Sequence, residues 1–434
     1  MSFWSDKPAA ASNIRLFEPS NGWKAHDDQV NEQGHIAAQG SHYAVELALH
    51  NALNANNLVM LTGAGSSFCA SNAPDQKRAP GMVDLWDAAE VKVGKNEFAA
   101  IIAKIPNAAN LNKNIEKLLT LCKLYSALFN DENSKTIAAF VDEAEKAILD
   151  KVDFVIDSTE LGAHRNVIRK FARRSVRKPR AKIFTTNYDL CFEAAARQLQ
   201  FVAVDGFSHS IPQTYDSAHF AYDIVRRGSD EEPADYIENV FHLYKLHGSI
   251  DWRRRSDGIL VRSKNGEDGS PVLIYPRDSK FQEAFASPYL DMMAAFQAAL
   301  REPDTALIVS GFGFNDDHIS KPIFAAIEAN LTLKVVLCDV AFLADSALKT
   351  EPPNQLAPLT SEPRVKNNEY LERFKRLVTL GDQRITLLNG RFEDMAIALP
   401  DLVAQTERER HLDRMQQFRQ QFSGGMNLDE TQPG

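Results

Sequence analysis

The chain has 434 residues, of which 44% are apolar and 25% charged, with a net charge of −9. That is ordinary for a globular protein of two or three structural units, or for one large α/β domain with insertions. It excludes a global electrostatic drive toward nucleic acid or anionic membrane and leaves only local basic patches for either.

Four cysteines, Cys69, Cys122, Cys191 and Cys338, lie far apart with no C-x-x-C pair. A zinc ribbon and a disulfide framework are therefore not expected, and no metal is assigned. The N-terminus lacks a continuous apolar core, and no apolar run is long enough to span a bilayer. A reducing cytoplasm is the expected compartment.

Residues 1–40 are polar, with scattered Pro, Gly and Asn, and read as an N-terminal arm that is weakly ordered or docked on a neighbour. From Ser41 a helical pattern places Val45, Ala48, Leu49 and Ala52 on one face. "LVMLTGAGSS" (58–67) then reads as a buried strand running into a glycine turn. Between about 82 and 178 the pattern is helical, with stripes such as Ile115, Leu118, Leu119, Cys122 and Tyr125. This is a helical insertion, and Trp86 near its start reads as a core anchor.

Strand signals return at "KIFTTN" (182–187), "VFHLYKLHGS" (240–249), "GILVRS" (258–263), "VLIYP" (272–276), "TALIVSG" (305–311), "LKVVLCD" (333–339) and "RITLLNG" (384–390). Helical segments separate several of them. Buried strands alternating with helices predict an α/β fold, a Rossmann-like, doubly wound, largely parallel sheet. The main domain is expected over 41–400, with a charged C-terminal helix and tail over 401–434. Leu412, Met415 and Phe422 are its candidate docking residues.

Three strand ends carry chemistry. "TGAGSS" (62–67) has the glycines and hydroxyls of a phosphate cradle, where backbone N–H groups can close on an anion. Phe68 breaks the dinucleotide fingerprint, and no Gly-Lys-Ser/Thr follows to make a P-loop. "FTTNYD" (184–189) ends a strand in a polar cluster that also contains a good helix cap, Asn187 or Asp189. "SGFGFNDDHI" (310–319) repeats that geometry, with Asp316 or Asp317 as cap. Three such turns in one sheet predict one crevice at its carboxyl edge. His247 in "YKLHGS" reads by itself as a core histidine; beside that edge it becomes a candidate base.

"GAGSS", "TTNYD", "YKLHGS" and "SGFGFND", in that order, resemble the sirtuin-like NAD-consuming domain, in the variant found in bacterial anti-phage defence proteins. The resemblance spans roughly residues 45 to 395. It implies that Gly63, Ala64, Gly65, Ser66 and Ser67 hold the phosphates of NAD+. Asn187 would position water or the ribose, and Asp189 would hold the nicotinamide ribose or amide end. His247 would be the general base, with Gly248 leaving room for the ribose. Gly311, Gly313 and Phe314 would lie toward the adenosine half.

The paired-cysteine zinc ribbon of the deacetylases is absent, and "SNAPDQKRAPGMVDLW" (71–86) replaces their acidic-aromatic-arginine segment. The resemblance therefore implies an NAD+ glycohydrolase that depletes cellular NAD during defence. It also implies a homo-oligomer with a HerA-type ATPase partner.

The basic stretches "RKFARRSVRKPRAK" (169–182) and "DWRRR" (251–255) keep a second reading open. In that reading the chain is a nucleotide-binding or nucleic-acid-processing subunit of a defence complex, with little or no NAD cleavage. Stacking on Trp252 would then matter. Phe68 and the lack of an acidic residue at a strand end argue against a dehydrogenase.

Overall fold

Runs rich in Val, Ile, Leu and Phe form the central strands, and their side chains alternate between the two faces, as a period of two requires. Leu58, Met60, Ile183, Ala306 and Ile308 pack into one core, while Val59, Leu61, Phe184, Leu307 and Val309 pack into another. Both faces are apolar because helices cover both. His42–Leu53, Cys191–Leu199 and Phe392–Ala398 lie on the first side, and Tyr289–Arg301, Asp317–Ala329 and Glu369–Thr379 on the second. The structure, a computed structural model, describes residues 3–4, 7–73, 76–106, 111–129, 131–227, 235–273, 287–345, 348, 368–402 and 414–415.

The main sheet has nine strands in the order Gly22–Ala25, Arg15–Glu18, Ile385–Asn389, Lys334–Cys338, Thr305–Ser310, Asn57–Thr62, Lys182–Thr185, Val240–Lys245, Val202–Val204. All pairs from Ile385–Asn389 onward are parallel. The first two strands are antiparallel additions at one edge. The predicted doubly wound α/β class is thus the observed one.

Asn57–Thr62 is the first parallel strand in the chain and sits in the middle of the sheet. The chain builds one half next to it and then crosses to build the other, starting with Thr305–Ser310. That reversal between adjacent strands is where open α/β sheets leave a crevice.

Four elements differ from expectation. Residues 15–25 of the N-terminal arm complete the sheet: Arg15 pairs with Asn389, and Trp23 is buried against Phe342. Val202–Val204 forms an edge strand too short to give a sequence pattern. "GILVRS" contributes Leu260–Arg262 to a separate antiparallel sheet with Gly248–Arg254 and Ser270–Leu273, outside the parallel sheet. The expected strand 240–249 stops at Lys245, and a new one starts at Gly248. The rest of "VLIYP", and the C-terminal helix beyond residue 402 except Arg414 and Met415, lie outside the described residues.

The helical insertion falls between Asn57–Thr62 and Lys182–Thr185. Its helices Met82–Val93, Lys95–Lys104, Ile115–Leu128 and Glu132–Val152 enclose their own core around Trp86, Phe98, Leu118 and Phe140. Tyr188 and Ile250 join that core, so the insertion is seated on the turn after Lys182–Thr185 and on the small sheet.

Two histidines outside the cleft are buried as neutral rings. His164 lies between Phe192 and Phe392, and burial lowers its pKa to about 4. Burial, with Lys182 and Arg180 nearby, lowers that of His242 to about 4 as well. The unfolded chain takes up these protons first. Stability is therefore full above about pH 6.5 and falls as pH drops toward 4, by on the order of 2–3 kcal/mol for each ring. The urea midpoint should drop between about pH 7 and pH 5, and His164→Leu should flatten part of that drop. An unchanged slope in the variant would rule out His164 as a source.

Candidate active site

The register of the sheet sets the site. Cys338, Ser310, Thr62, Thr185 and Lys245 are aligned partners across five adjacent strands. The turns that follow them therefore emerge side by side. Gly65 N–H donates to the Gly311 carbonyl at 2.9 Å, joining the two turns across the reversal point. A Cβ on Gly65 would stand 2.7 Å from Gly311 Cα, and one on Gly311 would stand 2.6 Å from the Ser66 nitrogen. Gly311 also has φ +72°, a region that L side chains rarely adopt.

A cavity of about 430 Å³ opens at this edge, within the usual range for small-molecule sites. Ala64, Ser67, Asn187, Asp189, His247, Phe312, Asn315 and Asp316 line it from the sheet. Pro80, Gly81, Met82, Leu85, Asn114, Glu116 and Lys117 line it from the insertion.

Asn187 is tied to the glycine turn. Its Nδ2 donates to the Gly63 carbonyl at 3.0 Å, to Ser66 Oγ at 3.2 Å and to Ser67 Oγ at 2.7 Å. With the amide hydrogens directed at protein acceptors, Oδ1 is the atom left to orient a water or a hydroxyl. Ser67 Oγ passes its own hydrogen to Asp189 Oδ2 at 2.7 Å, while Asp189 Oδ1 accepts the Cys191 N–H at 3.0 Å, just before helix Cys191–Leu199. Asp189 lines the cavity, but both of its oxygens already serve the protein.

His247 occupies the short turn between two strands and is 5% exposed. Its Nε2 lies 3.1 Å from Asp316 Oδ2. A carboxylate only accepts, so this contact places the imidazole proton on Nε2 and leaves Nδ1 as the basic nitrogen. Asp316 Oδ1 meanwhile accepts the His318 N–H and caps helix Asp317–Ala329. The cap was legible in the sequence; the partnership with His247, 69 residues away, was not.

Behind the turn, Lys245 is 2% exposed. Its ammonium donates to the Tyr188 carbonyl at 3.3 Å, to the Asp189 carbonyl, and to Glu193 Oε1 at 3.1 Å. A buried cation thus holds the 187–189 turn in place. Nothing in the sequence marked Lys245 except its place in a buried strand.

Several of the other expected site residues are engaged within the fold. Gly65, Ser66 and Ser67 use their N–H groups on the carbonyls of Gly311, Gly63 and Ala64, so this turn does not form an open phosphate cradle. Only Ala64 and Ser67 of that group line the cavity. Gly248, at φ +88°, fits strand pairing, because a Cβ there would collide with the Val272 carbonyl oxygen. Gly311 serves the contact between turns. Gly313 binds Asp339 through its N–H and Asn368 through its carbonyl. Phe314 is buried against Phe374 in the core. None of Gly248, Gly311, Gly313 and Phe314 lines the cavity.

The basic stretches are largely engaged within the fold. Arg174 and Lys178 donate to carbonyls of residues 54–56 at the end of helix His42–Leu53, and Lys170 donates to those of Ala396 and Ile397. Cations there complement the helix dipole. Arg180 forms a bidentate pair with Asp223. Trp252 is buried against Phe207, out of reach of a nucleic-acid base.

Among the described residues no group of His, Cys, Asp and Glu could hold a metal ion, and no helix is long and apolar enough to cross a membrane. Residues 181–362 match a family model described as a SIR2-like domain. The match takes in Asn187, His247 and Asp316 and starts after the Gly63–Ser67 turn. No curated protein matches the chain. One solved structure that it resembles is described as "Structural Basis for the Mechanism and Regulation of Sir2 Enzymes", with 11% identity, 86% of this chain and 98% of that chain covered, and a TM-score of 0.35.

Proposed function

We propose that the protein is an NAD+ glycohydrolase that releases nicotinamide and ADP-ribose. The observation that carries this reading is the His247–Asp316 pair facing the same cavity as Asn187, at the point where the sheet reverses its winding. The SIR2-like match over residues 181–362 supports NAD as the ligand class.

The chemistry needs little else. Nicotinamide in NAD+ is already a cationic leaving group, so breaking its bond to the ribose requires no general acid. It requires a stabilised oxocarbenium-like ribose and a positioned water. Asn187 Oδ1 orients the water or a ribose hydroxyl. His247 accepts the proton through the nitrogen that Asp316 leaves free, and Asp316 stabilises the imidazolium that forms. The Asn187–Ser67–Asp189 chain holds the amide in one orientation.

The anti-phage role, the homo-oligomer and the HerA-type ATPase partner carry over from the resemblance of the four motifs. The test is NAD+ turnover by the wild type and Asn187→Ala, each alone and with the proposed HerA-type ATPase partner. Nicotinamide release by the wild type, lost in Asn187→Ala, supports the reading. No release in any combination, with salt-dependent DNA binding instead, would favour the nucleic-acid subunit.

A further inference from the structure

The insertion does more than wall the cavity. Glu116 lies in the first turn of helix Ile115–Leu128 and lines the cavity opposite the sheet. Its Oε1 accepts the Tyr188 hydroxyl at 3.0 Å, which leaves Oε2 to a ligand. Tyr188 is itself fixed in the core of the insertion. Asn114 caps the same helix by accepting the Lys117 N–H, so the backbone that carries Glu116 is anchored.

Burial raises the Glu116 pKa and Asp316 adds to that, while the His247 ring, once protonated, and the Tyr188 hydroxyl favour its ionised form. A cation docking in the cavity acts in the same direction as those two groups. Lys117 is exposed on the same wall, and Asp189 and Asp316 line the opposite one. The cavity therefore carries more carboxylates than fixed cations, which is unexpected for a site that meets only phosphates.

We propose that Glu116 makes the site selective for the oxidised, positively charged nicotinamide ring over the neutral dihydronicotinamide of NADH. This rests on NAD+ being the substrate. A carboxylate a few ångströms from a cationic ring, in a partly desolvated cavity, favours it by about tenfold or more over a neutral ring of the same shape.

The test uses the Asn187→Ala protein, which keeps the His247–Asp316 pair, and measures equilibrium binding of NAD+ and NADH. NAD+ is expected to bind at least about tenfold more tightly. Adding Glu116→Gln, which still accepts the Tyr188 hydroxyl, should reduce that preference by about tenfold with the unfolding transition unchanged. An unchanged preference in Glu116→Gln would overturn the assignment. Failure of Asn187→Ala to bind either dinucleotide would instead remove the NAD+ reading, and the assignment with it. If Glu116→Gln disturbs folding, Glu116→Asp serves as the second variant, with the preference retained in part.

Discussion

Replacing His247 by alanine is expected to lower NAD+ cleavage by about 10²–10⁴-fold while leaving the unfolding transition in place. The ring is the only candidate base in the cavity with a carboxylate fixed behind it, among the described residues. Asp316→Asn sharpens the test. Asparagine is as good a helix cap as aspartate, so helix Asp317–Ala329 keeps its start. The amide, however, can donate to the imidazole and stabilise the wrong tautomer, and it cannot stabilise an imidazolium. Turnover should fall by about tenfold to a hundredfold, with KM little changed. Asp316→Ala should lose activity similarly and also about 1 kcal/mol of stability from the missing cap. Wild-type turnover in His247→Ala would remove the dyad from the mechanism.

The largest expected stability effect belongs to Lys245. Lys245→Met keeps an apolar stem of similar length but leaves two carbonyls and Glu193 without their cation. Removing one partner of a buried pair typically destabilises by about 3–5 kcal/mol. Glu193 is 22% exposed along its side chain, so the lower end is expected here, roughly 3 kcal/mol. Burial already raises the Glu193 pKa, and without Lys245 that carboxyl should protonate more readily. Adding Glu193→Gln to Lys245→Met should restore part of the loss, and a double-mutant cycle on urea midpoints measures the coupling. Simple additivity of the two changes would mean that the ion pair does not hold the turn.

Much of the sheet could be read from the sequence because its central strands are continuous apolar runs between turn residues. Asn57–Thr62, Lys182–Thr185, Thr305–Ser310, Lys334–Cys338 and Ile385–Asn389 all have that form. Arg15–Glu18 and Val202–Val204 do not: they are short and half-buried, and tertiary pairing alone makes them strands. Leu260–Arg262 carried a strand signal, but no local pattern says to which sheet such a strand belongs.

The site divides in the same way. Asn187, Asp189 and His247 stand next to strand ends, where the chain itself marks a crevice. Asp316 was legible as a cap, since one carboxylate oxygen and a local N–H suffice for that. Its second oxygen faces a histidine from another strand, a contact set by the register and not by spacing. Glu116 and Lys245 were not legible. One arrives from an insertion whose docking no periodicity reveals, and the other is a cation within a buried strand, whose partners lie on other elements. The glycines are a separate case. Gly248, Gly311 and Gly313 suggested ligand approach, yet close backbone packing, strand pairing and turn geometry account for all three.

The most direct test of the account is a structure of the His247→Ala protein with NAD+ bound. The account predicts the nicotinamide ribose in the cavity between Asn187 and residue 247, with its anomeric carbon facing both and the nicotinamide ring toward Glu116. NAD+ bound elsewhere on the protein, or seated with its adenine in this cavity, would contradict it.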